Sequence, residues 1–337
     1  MFYPLARSLL FQLDAEKSHH LSLNTLKRLH VLGLSRLLSA EQVDDPRLVM
    51  GLQFANKVGL AAGLDKNGDY IDALAALGFG SIEIGTVTPR PQPGNPTPRL
   101  FRLPAAKAII NRMGFNNKGI DYLITNVKKS KFKGVLGINI GKNADTPLDK
   151  SVDDYVICLR KVYASASYIA INISSPNTKN LRQLQQGDEL NYLLGALKQE
   201  QRALHITQGK YVPLVVKIAP DLTNTEIDAI AQLLLINEID GVIATNTTIN
   251  KKIVAHLVHG TEQGGLSGAP LTSSSTAVIQ RLAEMLADKI PIIGVGGIMS
   301  AQDAKDKMQM GAQLVQVYSG FIYRGPVLIR EIASALK

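Results

Sequence analysis

KVGLAAGLDKNG, residues 57–68, is an apolar run that ends in a short loop carrying an aspartate and a lysine between glycines. An open, doubly wound sheet that binds a dinucleotide is expected to carry GxGxxG after its first strand. Here that place reads AAGLDKNG, which lacks the pattern. Seven further β-rich runs follow: SIEIGT (81–86), GVLGINI (134–140), YIAINIS (168–174), LVVKIA (214–219), GVIATN (241–246), IPIIGVGG (290–297) and AQLVQVYS (312–319). They are continuous rather than alternating, as strands of a parallel sheet buried on both faces require. Helical patterns separate most of them: 70–77, 153–164, 224–235 and 300–310, the last opened by a Ser300/Asp303 capping pattern. Eight β-then-α units in 337 residues predict an α/β fold, a (β/α)8 TIM barrel, with the doubly wound sheet as the alternative.

The first 45 residues fall outside that pattern. FYPLARSLLFQLD has apolar residues at 2, 5, 9, 10 and 13, and AEKSHHLSLNTLKRLHVLG has leucines at 21, 23, 26, 29 and 32 before Gly33. These stripes predict two short amphipathic helices with a helix-capping glycine, then a linker. The chain therefore divides into an extension, 1–45, and a barrel, 46–337. The helices either pack on the barrel as ordinary structure or offer an apolar surface to a membrane or ligand.

Composition bounds the rest. Apolar residues make up 45% and charged residues 19%, as in soluble globular proteins. Cys158 is the single cysteine, so no intramolecular disulfide forms and a reducing compartment is expected. The net charge of +9 is scattered, and its densest run, KKSK at 128–131, reads as a solvated face rather than a nucleic-acid site. No apolar run reaches the length of a membrane span, and the N-terminus lacks the pattern of a secretory signal.

In a (β/α)8 barrel the active site lies at the C-terminal strand ends. Those ends carry Gly63, Asp65 and Lys66; Thr86; Asn139; Asn172, Ser175 and Asn177; Lys217; Thr245, Asn246 and Thr247; Gly296 and Gly297; and Tyr318, Ser319 and Gly320. The ring is made of amides, hydroxyls and two lysines, without the His, Cys or Glu spacing of a metal site or a Ser-His-Asp set. Asparagines suit a planar heterocycle with fixed donors and acceptors. Glycines after the seventh run and Tyr-Ser-Gly after the eighth occupy the usual phosphate site of the fold. Flavin mononucleotide, FMN, fits that description. Lys217 interrupts an otherwise apolar strand, where an ammonium is costly unless paired or used. It is either a snorkelling stem, a Schiff-base nucleophile, or a cation that stabilises negative charge on a reduced flavin.

Six motifs together, GLAAGLDKNG (59–68), IEIGTVTPRPQPGN (82–95), RLFRL (99–103), NRMGFNN (111–117), NISSPNT (172–178) and IGVGGI (293–298), resemble dihydroorotate dehydrogenase over most of the chain. The resemblance implies an FMN-dependent barrel that oxidises dihydroorotate to orotate in pyrimidine synthesis. Soluble class 1 members use a cysteine base in the fourth-strand motif. Class 2 members use serine, carry an N-terminal helical extension and pass electrons to membrane quinone. Ser175 and the extension make this chain resemble class 2. Cys158, before that strand, reads as a core thiol.

The resemblance further implies that Ser175 is the base that removes the C5 proton while hydride leaves C6 for the flavin. It places substrate against Lys66, Asn111, Arg112, Met113, Gly114, Phe115, Asn172, Asn177, Asn246 and Thr247. It places FMN against Ala62, Gly63, Leu64, Asp65, Lys66, Thr86, Asn139, Asn172, Lys217, Thr245, Gly268, Gly297, Tyr318 and Ser319. Peripheral contact with the cytoplasmic face of the membrane, a monomeric state and no nucleic-acid partner follow as expectations. Thr178 is a candidate proton exit. Family members often have proline and glycine after this threonine; Lys179 and Asn180 stand here. Asparagine tolerates left-handed backbone, so the loop can keep its shape. The rival readings are a class 1-like soluble dehydrogenase, an RNA-modifying flavin barrel, a lysine-dependent aldolase and a non-catalytic phosphate-binding barrel.

Overall fold

The computed structural model describes residues 3–34 and 43–337. Its strands are β1 (Arg47–Val49), β2 (Leu52–Phe54), β3 (Val58–Leu60), β4 (Ser81–Val87), β5 (Leu100–Leu103), β6 (Ala108–Asn111) and β7 (Val135–Ile140). They continue with β8 (Tyr168–Asn172), β9 (Leu214–Ile218), β10 (Gly241–Ala244), β11 (Gly265–Gly268), β12 (Ile292–Val295) and β13 (Ala312–Val317). The helices are α1 (Tyr3–Leu10), α2 (Ala15–Val31), α3 (Ile71–Ala75), α4 (Ile120–Lys129), α5 (Ser151–Val162) and α6 (Gly187–Gln208). After them come α7 (Asn224–Ile236), α8 (Thr272–Leu286), α9 (Ala301–Gln309), α10 (Ser319–Arg324) and α11 (Val327–Leu336).

Strands β3, β4, β7, β8, β9, β10, β12 and β13 close into a parallel barrel, with β13 pairing back onto β3. These are the eight apolar runs of the sequence. The fold is the TIM barrel with N-terminal helices. Alternation is present but masked, because both faces are buried. Ile169 and Ile171 of β8 pack outward under the helices, whereas Tyr168 and Ala170 point into the barrel with Val215, Ile243, Ile293 and Leu314. The β1–β2 hairpin, not foreseen from sequence, adds Val49 and Phe54 to that inner cluster and stoppers the floor. Gly137 makes room for the Tyr168 ring; a Cβ there would stand 2.2 Å from Tyr168 Cζ.

Local signals hold where the sequence carried them. Ser300 accepts from the Asp303 N–H at the start of α9, and Thr223 with Glu226 forms a full capping box on α7. Cys158 is buried and free. Lys128 and Lys129 are exposed in the last turn of α4, where cations suit the helix dipole.

Above the barrel mouth lies a three-stranded antiparallel sheet, β11–β6–β5, which the sequence reading did not contain. Helices α1 and α2 pack beside it. One stripe of α1 is tethered: Tyr3 donates to Ile322 O at 2.6 Å, and Arg7 to Tyr323 O at 2.7 Å. Just past its end, Phe11 packs edge-on against Tyr323. Leu5 and Leu9 of the opposite stripe, and Leu13 beyond it, are exposed. Helix α2 is capped by Asp14 and buries Leu23 and Leu26, while Leu21, Val31 and Leu32 face outward. Gly33 follows at φ 75°. The predicted linker falls in large part on 35–42, outside the described residues, as do Met1 and Phe2. Among the described residues no helix is long and apolar enough to cross a membrane.

Candidate active site

The C-terminal strand ends open into a cavity. From the sequence-predicted set, Ala62, Gly63, Lys66, Thr86, Asn111, Met113, Gly114, Phe115, Asn172, Ser175, Asn177, Lys217, Thr245, Asn246, Thr247, Gly268, Gly297, Tyr318 and Ser319 line it. Four do not. Leu64 is buried in the outer core. Asp65 turns its carboxylate back to accept from the Asp69 and Tyr70 N–H groups ahead of α3, and burial raises its pKa to about 6. Asn139 is fully buried and accepts from Thr86 and Asn172, which do line the cavity. Arg112 pairs with Glu262 at 2.7 Å and lies over the Phe101 ring.

The inner wall is a directed hydrogen-bond chain. Asn172 Nδ2 donates to Thr86 Oγ1 at 2.8 Å, Thr86 Oγ1 to Asn139 Oδ1 at 2.5 Å, and Asn139 Nδ2 to Glu83 Oε1 at 2.8 Å. The Glu83 carboxylate also accepts from Tyr168 and Gln316, each at 2.7 Å. On the other wall, Asn246 Nδ2 reaches Asn172 Oδ1 and Ser174 Oγ, and Asn177 Nδ2 reaches Asn111 Oδ1. The 173–182 loop is pinned by Arg182, which donates to Ser174 O and Thr247 O and pairs with Asp221 at 2.7 Å. Asn180 sits at φ 59°, the left-handed geometry its side chain tolerates. Ser175 Oγ faces the cavity and accepts from the Asn177 N–H at 3.3 Å. Thr178 Oγ1 is buried without a hydrogen-bond partner.

Two ammonium groups face the cavity with no hydrogen bond to another described residue. Burial pushes the Lys217 pKa down, with Glu83 opposing, and lowers that of Lys66 to about 8. Such cations are costly unless an anion joins them. On the far side, Gly296 and Gly297 hold φ of 114° and 72°, and α10 begins at Ser319, whose Oγ donates to Ser267 Oγ at 2.8 Å. A Cβ on Gly297 would lie 2.4 Å from Thr272 N, so only glycine fits that cradle.

Sequence reasoning missed Glu83, Gln316 and Ser267. The signal for the first was present: Glu83 interrupts SIEIGT as Lys217 interrupts LVVKIA. It also missed how α2 reaches the site. Glu16 pairs with Arg99 at 2.7 Å, and Arg99 donates to Asn95 O. His19 is half-buried near Lys66, its pKa lowered to about 3 by desolvation and then by that cation and His20.

Fold and site together define a class: a (β/α)8 barrel whose mouth is cationic, amide-rich and glycine-edged, suited to a planar ligand bearing phosphate. A family model described as dihydroorotate dehydrogenase matches residues 47–337. Dihydroorotate dehydrogenase (quinone) of Ralstonia nicotianae is 60% identical over 337 residues, 99% of this chain and 98% of the relative. The Chromobacterium violaceum enzyme of the same name is 63% identical over 335 residues, 99% of this chain and 97% of its own. A DHODH crystal structure from Eimeria tenella in complex with ferulenol matches with a TM-score of 0.87 at 39% identity, covering 94% of this chain and 90% of that one. The chain belongs to the dihydroorotate dehydrogenase family, in its quinone-dependent class.

Proposed function

We propose that the glycine side of the cavity holds FMN, that the asparagine side holds dihydroorotate, and that Ser175 is the catalytic base. The overall reaction is that of the family: dihydroorotate is oxidised to orotate in pyrimidine synthesis, and quinone takes the electrons. One observation carries the residue assignment. Two ammonium groups without a hydrogen bond to another described residue and a ring of amides converge on one cavity edged by a glycine cradle. When bound, the flavin accepts the hydride. Lys217, with the carboxylate of Glu83 below it, supplies positive charge to the flavin side. Lys66 serves the substrate carboxylate. Asn111, Asn172, Asn177 and Asn246 offer both donors and acceptors to a pyrimidine ring. Asn139 and Asp65 act from behind, orienting Thr86 and the 65–70 loop. Thr178, three residues beyond Ser175 and with a buried hydroxyl that has no hydrogen-bond partner among the described residues, is the first step of a proton exit.

Turnover of dihydroorotate by the purified holoprotein with quinone, compared with fumarate and NAD, tests this reading. Activity with fumarate or NAD but not quinone would favour the soluble rival. A colourless protein without activity would favour the aldolase or the phosphate-binding barrel.

The pH behaviour of Lys66 gives a sharper check. Its folded pKa of about 8 lies below the ordinary lysine value. The cation is present below that pH and lost above it, while orotate stays anionic throughout. Orotate affinity of the oxidised protein is therefore expected to fall as pH rises through about 8, and Lys66→Met should flatten the profile. An unchanged slope in the variant would remove Lys66 from the substrate site.

Residues 1–45 we read as the quinone entrance and peripheral membrane contact of a monomer at the cytoplasmic face. The exposed Leu5, Leu9 and Leu13 suit burial in a lipid interface. Behind them, an apolar cluster of Phe11, Leu100, Ile109, Ala269, Met299 and Tyr323 extends toward Gly268 and Ile298 at the cavity. Deleting residues 1–40 is expected to leave the flavin reducible by dihydroorotate. Reoxidation by long-chain quinone in vesicles, and vesicle binding, should both fall. A truncated protein as fast with vesicle quinone as the full chain would make these helices plain packing.

A further inference from the structure

We propose that Lys307, on α9 and outside the cavity, is a positioning residue for the flavin phosphate. It sets the direction of the Gly296–Gly297 peptide and places a positive charge behind it. The proposal rests on the reading of that glycine corner as the phosphate seat.

Lys307 is wholly buried, with 0% of its surface exposed. Its Nζ donates to Ser275 Oγ at 2.5 Å and Thr276 Oγ1 at 3.0 Å, with a longer reach of 3.5 Å to Thr272 O. No carboxylate of a described residue lies within ion-pair distance; Asp303 and Asp306 on its own helix act on it only from further away. An ammonium has donors and no acceptor. The Ser275 hydroxyl must therefore accept from Lys307 and give its own proton onward; of its two acceptors the nearer is Gly296 O at 2.9 Å, against 3.2 Å for Thr272 O of its own helix. The Gly296–Gly297 bond is trans. In a trans peptide the carbonyl and the following N–H point in opposite directions. Pinning Gly296 O toward α8 turns the Gly297 N–H the other way, toward the cavity that Gly297 lines. Thr272 Oγ1, 2.7 Å from Gly297 O and 2.9 Å from Ala269 O, donates to the nearer and orients the next amide in the same sense.

A stitch between α8 and α9 does not require a charge. Well-packed apolar side chains of similar volume commonly replace buried ions at no loss of stability. A buried ammonium with hydroxyl partners and no carboxylate is useful where an anion is bound nearby. The chain Lys307–Ser275–Gly296 leads to such a place, and a hydroxyl polarised by a cation donates more strongly.

The test compares two flavins that differ only in the phosphate. Flavin release from the holoprotein is followed by free-flavin fluorescence after dilution, and FMN is exchanged against riboflavin. In Lys307→Met, FMN is expected to be held about ten- to a hundredfold less tightly, the scale of a charge-assisted hydrogen bond. Riboflavin affinity should be unchanged, and Lys307→Arg should recover part of the FMN preference. Ser275→Ala, which keeps the ammonium paired with Thr276, should lower the FMN preference in the same direction but less. Equal weakening of FMN and riboflavin would make Lys307 a packing residue and overturn the proposal. A wild-type protein with no preference for FMN over riboflavin would instead overturn the phosphate seat itself. If Lys307→Met does not fold, an unaltered FMN preference in Ser275→Ala overturns the proposal alone.

Discussion

Replacing Ser175 by alanine is expected to leave flavin and orotate bound while slowing flavin reduction by dihydroorotate about 10²- to 10⁴-fold, the usual scale of general-base catalysis. The substitution removes a hydroxyl that faces the cavity and accepts one hydrogen bond, from the Asn177 N–H. Arg182 fixes the loop independently through Ser174 O and Thr247 O, so the fold of the site should survive. Serine is an unpromising base by itself, a far weaker acid than a thiol at about 8.5. Among the described residues no histidine or carboxylate is hydrogen-bonded to Ser175. Its proton must leave by another route, and the unpartnered hydroxyl of buried Thr178 lies three residues on. Ser175→Cys should retain more activity than Ser175→Ala, because a thiol still takes the proton. Stopped-flow reduction of the bound flavin reads both. A wild-type rate in the alanine variant would exclude Ser175 as the base.

Glu83→Ala is expected to destabilise the protein by about 3–5 kcal/mol, the range for breaking a buried charge arrangement from one side. The carboxylate is fully buried and accepts from Asn139, Tyr168 and Gln316, and its charge opposes the desolvation of Lys217. Alanine would leave three donors unmet and the ammonium without compensation. The reverse experiment separates the two effects. In Glu83→Ala with Lys217→Met, the uncompensated charge is gone, so part of the stability should return although flavin binding does not. Urea unfolding of the single and double variants provides the comparison. Strict additivity of the two substitutions would show that Glu83 and Lys217 do not interact.

The barrel was legible because each of its strands is a contiguous apolar run, and a helix period stands between most of them. The floor hairpin and the β5–β6–β11 sheet were not. Their strands are three or four residues long, and β11 meets β6 across more than 150 positions of chain, a pairing that no local pattern announces. Within the site, residues whose side chains enter the cavity were found through motifs. Those behind the lining were harder to read. Asn139 and Asp65, expected at the ligand, do not line the cavity and hydrogen-bond to its neighbours, Asn139 to Thr86 and Asn172 and Asp65 to the Asp69 and Tyr70 N–H groups. Glu83 was passed over because a single acid in a strand looks like an exception, although Lys217 in the same situation was singled out. What the sequence hides is the pairing of two such exceptions across the barrel interior.

The stoppered floor bears on how such a protein can change over generations. Val49 and Phe54 come from outside the barrel yet fill the same inner layer as Val135, Tyr168, Val215 and Leu314. A larger or smaller side chain at any of these positions alters the space available to the others, since interiors are close-packed. Drift at the floor is therefore concerted, with the hairpin and several strands obliged to move together. The mouth is built from separate loops, each anchored on its own strand, and a loop there can be rebuilt without disturbing the rest. Inherited variation can accumulate at the end where ligands are met, while the opposite end preserves the vessel.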